Sequence, residues 1–144
     1  MSLPYIGELT FQTCRMLEYL EHPKFFKQAA DFKRRFPGFD EGFKATKNIF
    51  EVHFHPTNPM QRIAPGKLHC VSKNSSFVMW KLEMAVAGLK SKQWPRVWFA
   101  VSGSKVVFLC MGTHIDNYDD GYLTREAQSL ATDYFYVNCY KTTL

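Results

Sequence analysis

The sequence predicts an α+β fold: an N-terminal strand and a helical hairpin packed on a roughly four-stranded antiparallel sheet, with a C-terminal helix. Two observations lead there. Apolar residues between 23 and 54 recur at helical spacing, whereas those between 67 and 111 alternate or run together with β-branched and aromatic types. The helices also come as a run and the strands as a later run, which is the α+β order rather than the interleaved α/β one. At 144 residues, one domain over 1–144 is expected, with 1–15 an N-terminal extension and 121–144 a C-terminal helical extension. A chain of this length with 46% hydrophobic residues can bury a full core without disulfide or metal support.

Along the chain, 15–21 (RMLEYLE) reads as a short strand carrying Leu17, Tyr19 and Leu20. His22-Pro23 opens a helix, since proline suits a first helical position that needs no backbone donor. Phe25, Phe26, Ala29, Ala30, Phe32 and Phe36 form its apolar stripe, and Pro37-Gly38 stops it. A second helix follows, capped by Asp40, with Phe43, Thr46, Phe50 and Phe54 facing inward. Residues 55–66 hold three prolines and a glycine and form a loop. Strands are expected over 67–73 and 77–86, joined by Asn74-Ser75-Ser76, then a basic loop over 88–95. The runs 96–101 and 105–111 flank Ser102-Gly103-Ser104, a hairpin signal. An acidic turn over 116–121 precedes a final helix over 123–138, capped by Thr124.

Charge gives a weak lead on partners. The chain has 18 Lys+Arg against 13 Asp+Glu, a formal +5, which suits an anionic partner such as nucleic acid or an acidic protein. Cys14, Cys70, Cys110 and Cys139 are irregularly spaced and read as reduced, with Cys70 and Cys110 buried in strands. No secretory signal or membrane-spanning run is seen, so a cytoplasmic location is expected.

The hairpin begins at Arg96 and is followed by His114. In an antiparallel pair the start of one strand lies beside the end of the next, so these two residues should meet at one end of the sheet. One sheet face is nearly all apolar, with Leu68, Cys70, Val78, Trp80, Leu82, Met84, Val97, Phe99 and Val101. The other collects Lys67, His69, Lys73, Lys81, Glu83 and Arg96, a cationic surface suited to phosphates. Trp94 and Trp98 are candidates to stack bases. The plainer reading of Lys67, Lys73 and Lys81 taken singly is a solvated outer face, and of Glu83 a cross-strand partner for a lysine. His53 and His55 lack a nearby third ligand, and Asp116, Asp119 and Asp120 lack the spacing of a calcium loop, so no metal site and no cofactor are expected. Phosphate-binding glycine loops, nucleophile elbows and zinc-protease motifs are not found.

Three pieces together resemble the RelE/ParE superfamily of bacterial toxins, in its YafQ/RelE-like mRNA interferase branch. MLEYLEHPKFFKQAADFKRRFPGFDEGF is similar to the family's opening strand and helical hairpin, WPRVWFAVSGSKVVFL to its arginine-led hairpin, and FLCMGTHIDNY to a Gly-Thr-His ending. They span about 16–118. The chain departs from the family in its two extensions and in Trp80-Lys81-Leu82-Glu83, where arginine is usual. The resemblance implies a toxin of a type II toxin–antitoxin pair, a metal-free endoribonuclease acting on mRNA at the ribosome, with a small acidic antitoxin as partner. It implies His114 as general acid or base, Arg96 as neutraliser of charge on phosphorus, and His69 or Glu83 as second proton carrier. Lys67 and Lys81 would hold flanking phosphates, and Trp98 or Tyr118 would stack a base. The alternative is a non-catalytic binding module of the same fold, either gyrase-inhibiting or acting through protein contacts.

Overall fold

Helix formation starts where the chain supplies an acceptor for free amides. His22 is extended and accepts the Lys24 amide on its imidazole, and Pro23 takes the first helical position. The computed structural model describes residues 15–143, with side chains to residue 136; the expected N-terminal extension, Arg15 apart, lies outside the described residues, as do Cys14 and the Cys139 side chain. Strand β1 (Glu18–Glu21) leads into α1 (Pro23–Arg35) and then α2 (Phe39–His53). Helix α1 buries Phe25, Ala29 and Phe32, one turn apart, while Phe26 and Ala30 of the expected stripe face outward. Helix α2 buries Phe39, Phe43, Thr46 and Phe50, with Phe54 packed alongside.

Asp40 does not cap α2. The Pro37-Gly38 turn is tight enough for the Phe39 amide to reach the Phe36 carbonyl at 3.1 Å, so the helix starts two residues earlier with Gly38 at the cap. Asp40 sits in the first turn and pairs with Lys33 at 2.9 Å. The hairpin rests directly on backbone: a Cβ on Gly42 would lie 2.4 Å from the Ala85 carbonyl oxygen. Gly42→Ala is therefore expected to lower the unfolding free energy by about 1–3 kcal/mol, outweighing alanine's helix preference of about 1 kcal/mol. Urea unfolding reads this, and an unchanged or higher midpoint would contradict the close approach.

Strands β2 (Leu68–Lys73), β3 (Val78–Glu83), β4 (Arg96–Ser102) and β5 (Lys105–Gly112) form the antiparallel meander. The sheet, however, is five-stranded and mixed, in the order β1-β5-β4-β3-β2, because β1 adds to β5 in parallel with Glu18 opposite Lys105. The cause lies in β5: residues 106–111 are all buried, so this continuous apolar strand takes a neighbour on each side and a layer on each face. The β4–β5 turn has two residues, with Gly103 at φ +61° where a side chain is disfavoured. A bulge sets Trp98 opposite Cys110 and Phe99 opposite Phe108, leaving Leu109 the extra residue.

Both faces are covered. Beneath α1 and α2, Phe108 meets the rings of Phe25, Phe43, Phe50 and Phe99. On the other face α3 (Asp120–Thr143) lays Leu123, Ala127 and Ala131 over Met79, Trp98, Ala100 and Leu109, and Phe135 stacks on Phe77 with centroids 5.0 Å apart. The open cationic face expected from alternation is thus half apolar and half polar, with α3 on the apolar half. Helix α3 begins before 123 because the Asp119 carboxylate accepts the Tyr122 amide; Thr124 lies within the helix instead of capping it. Cys110 is buried as expected, but Cys70 is exposed because β2 is the sheet edge.

The 55–66 loop is tied down by histidines acting as acceptors. His53 Nδ1 takes the Arg62 and Ile63 amides at 3.0 and 3.3 Å, and His55 Nδ1 takes those of Thr57 and Asn58 at 3.2 and 3.1 Å. Burial holds His53 below its ordinary 6.5. The unfolded chain therefore binds this proton first as pH falls, so the His53 contribution is complete above about 6.5 and is lost as pH drops through the lowered value. The unfolding midpoint should fall on going from pH 8 to pH 5, with a smaller drop in His53→Gln; parallel profiles would contradict this.

Candidate functional site

Register builds the site. Glu83 lies opposite Arg96, and Arg96 opposite Gly112; His69 lies opposite Lys81, Lys81 opposite Trp98, and Trp98 opposite Cys110. Directly paired residues share a sheet face, as do residues two apart on a strand, so both rows point to the α3 side. This is the end where β3 finishes, β4 starts and β5 finishes, and the chain returns to it through the His114–Asp116 turn and the start of α3.

Two charged groups result. In the first, Lys67 Nζ is 3.3 Å from Glu83 Oε1, Arg96 Nη2 is 3.7 Å from the same oxygen, and Lys67 Nζ stands 5.3 Å from the centre of the Trp94 ring. Arg96 Nη1 donates to the carbonyls of Trp94 at 2.6 Å and Lys92 at 3.4 Å, and its side chain is nearly buried. In the second, Lys81 Nζ is 2.7 Å from Asp120 Oδ2, which also accepts from the Tyr118 hydroxyl at 3.4 Å. Lys81 Nζ lies 5.8 Å from the Trp98 ring centre, and Trp98 Nε1 donates to Thr124 Oγ1 at 3.1 Å.

Tyr118 joins the groups. Burial pushes its hydroxyl above the ordinary 10, against the lowering pull of Arg96, while Asp120 and Glu83 add to the rise. The His114 ring lies 5.0 Å from the Tyr118 ring, tilted by 57°, and is exposed to solvent. Its turn is held from three directions. Thr113 Oγ1 accepts the Ile115 amide at 3.1 Å and donates to the Gln93 carbonyl at 3.2 Å. Arg35 grips both Asp116 oxygens at 3.0 and 2.8 Å and holds that carboxyl below its usual range. Gly112 makes room, since a Cβ there would meet Leu123 at 2.5 Å and Tyr118 at 2.9 Å. A cleft of about 320 Å³ opens beside this turn, with Arg35, Gly112, Tyr118 and Tyr122 among its walls.

The sequence-derived candidates therefore collect at one end of the sheet, in unequal states. His69 and His114 are exposed, and Lys67, Lys81, Glu83 and Tyr118 partly so. Two assignments change. Trp98 is fully buried under α3, with its indole N–H engaged by Thr124, and offers no face to a base. Arg96 directs two of its donors at loop carbonyls, so it anchors the 92–94 segment rather than standing free for a phosphate. Sequence reasoning passed over Asp120, Thr113, Arg35 and the Trp94–Lys67 contact. Only the acidic turn was a signal, and its carboxylates divide into an Arg35 partner, a helix cap and a Lys81 partner.

Among the described residues no helix is long and apolar enough to cross a membrane, and no cluster of three or more His, Cys, Asp or Glu side chains is placed to hold a metal. Comparison with protein-family models, with curated proteins and with solved structures finds no match to this chain.

Proposed function

We propose that this chain is the toxin of a bacterial type II toxin–antitoxin pair, an endoribonuclease that cleaves mRNA on the ribosome in the cytoplasm and is held in check by a small acidic protein. The observation that supports the reading is the solvent-exposed His114 against Tyr118, with the Lys81 and Lys67 groups at the end of the sheet that carries them. Imidazole is the side chain suited to exchanging protons near neutral pH. In the metal-free reaction that the resemblance implies, a base takes the proton of a ribose 2′-hydroxyl. The freed oxygen attacks the adjacent phosphorus, the bond from phosphorus to the 5′-oxygen breaks, and an acid protonates that leaving oxygen. His114 is one of the two proton carriers, with His69 or Glu83 as the other. Lys67 and Lys81 hold phosphate oxygens, and Tyr118 offers its ring to a base. Arg96 supports the loop beneath them.

The test is incubation of the purified full chain with mRNA on programmed ribosomes, with primer extension to locate new 5′ ends. Discrete cleavages in translated message are expected; intact message would refute the reading. One observation favours the second reading, a non-catalytic binding module. The guanidinium and both lysines already have partners within the fold. Gyrase-dependent DNA breaks in place of RNA cleavage would establish the inhibitor form of that reading.

A further inference from the structure

We propose that Asp120 is a built-in competitor for the RNA phosphate: its carboxylate holds Lys81 closed, and RNA binds by taking the ammonium from it. The inference rests on the RNA reading above and goes beyond it by assigning a gate to the site. Lys81 is the only lysine of the two charged groups that faces a carboxylate from α3 rather than from the sheet. That carboxylate sits where an anionic ligand of the sheet end would be held. It accepts from the Lys81 ammonium at 2.7 Å, from the Tyr118 hydroxyl at 3.4 Å and, through its other oxygen, from the Thr124 hydroxyl at 3.4 Å. These three donors are of the kinds that bind phosphate oxygens. Asp120 is itself half-exposed, with 46% of its side chain open, whereas Lys81 is only 23% open and lies against the Trp98 ring. The carboxylate is therefore the partner that can swing into water while the ammonium stays in place.

The arrangement has a signature in salt dependence. A lysine that neutralises a phosphate of single-stranded nucleic acid contributes about 0.7 to the slope of log affinity against log salt through counterion release. Those released ions are cations condensed on the RNA; in the native chain the Asp120 carboxylate displaced from Lys81 is left charged and takes up a cation in turn, which offsets the release. Removing its charge lets the full release show.

The experiment uses the full chain and a fluorescent single-stranded RNA oligonucleotide, read by anisotropy over a salt series. Asp120→Asn keeps the shape and removes the charge. It is expected to tighten binding about tenfold at low salt and to steepen the slope by about 0.7. In a Lys81→Met background, where the stem over Trp98 remains and the ammonium is gone, Asp120→Asn should change neither quantity. Thermal melts of all four proteins verify folding. Binding by the native chain that Asp120→Asn leaves unchanged or weakens, at the same slope, overturns the gate and leaves the RNA reading standing. A gain that persists without Lys81 also overturns it, because the effect would then be general charge removal. Failure of every folded form to bind RNA overturns the RNA reading and the gate with it.

Discussion

His114→Ala is expected to reduce mRNA cleavage by about 10²–10⁴-fold, the usual contribution of one positioned proton carrier. The reduction should be in turnover, because the lysines that would hold RNA lie in other groups and are untouched. Stability should barely change: His114 is exposed and its ring touches only the side of Tyr118 among the ring contacts of the site, and a surface change of this kind lies within about 0.5 kcal/mol. The turn itself survives, since it is held by Thr113, Gln93 and the Arg35–Asp116 pair, none of which needs the imidazole. Primer extension on translated message, with a melt of the same sample, separates loss of chemistry from loss of fold. Full cleavage by a folded His114→Ala protein would remove this histidine from the mechanism.

Phe108→Ala is expected to cost about 3–5 kcal/mol. Phe108 is fully buried in the strand that both neighbouring strands and both helical layers need, and it touches Tyr19 as well as the rings of α1, α2 and β4. The rigid rings around it come from four different elements, so they cannot all move in to close the cavity left by a lost phenyl group. Against a total stability of about 5–15 kcal/mol for an ordinary domain, this loss is a large fraction. Phe26→Ala is the control: the residue is 62% exposed and removal of its ring should stay within about 0.5 kcal/mol. Denaturant midpoints for the two proteins measure the contrast, and similar midpoints would contradict the placement of the core.

Local signals carried the helical hairpin well. Pro23, the phenylalanine spacing and Pro37-Gly38 act within a few residues, so the ends of α1 and the inner face of α2 could be read from the chain. The same holds for the Gly103 turn and for alternation in β3 and β4. Alternation went astray on the second sheet face. Phe77, Met79 and Trp98 sit on the same side as Lys81 and Glu83, and only a covering layer over part of that side explains the mixture. Alternation alone makes Trp98 a surface platform, and the covering helix makes it a core residue.

The order of elements and the burial of the apolar layer beneath α1 and α2 follow from periodicity and turn chemistry, which belong to the chain itself. The pairing of β1 with β5, the seat of α3, and the carbonyls that claim Arg96 join residues far apart in sequence. Contacts of that kind leave no spacing to read, because they are chosen by which surfaces remain unpaired once the hairpins have formed. The ends of β3 to β5 could be foreseen as a meeting place of charges; which charge answers which was decided by packing.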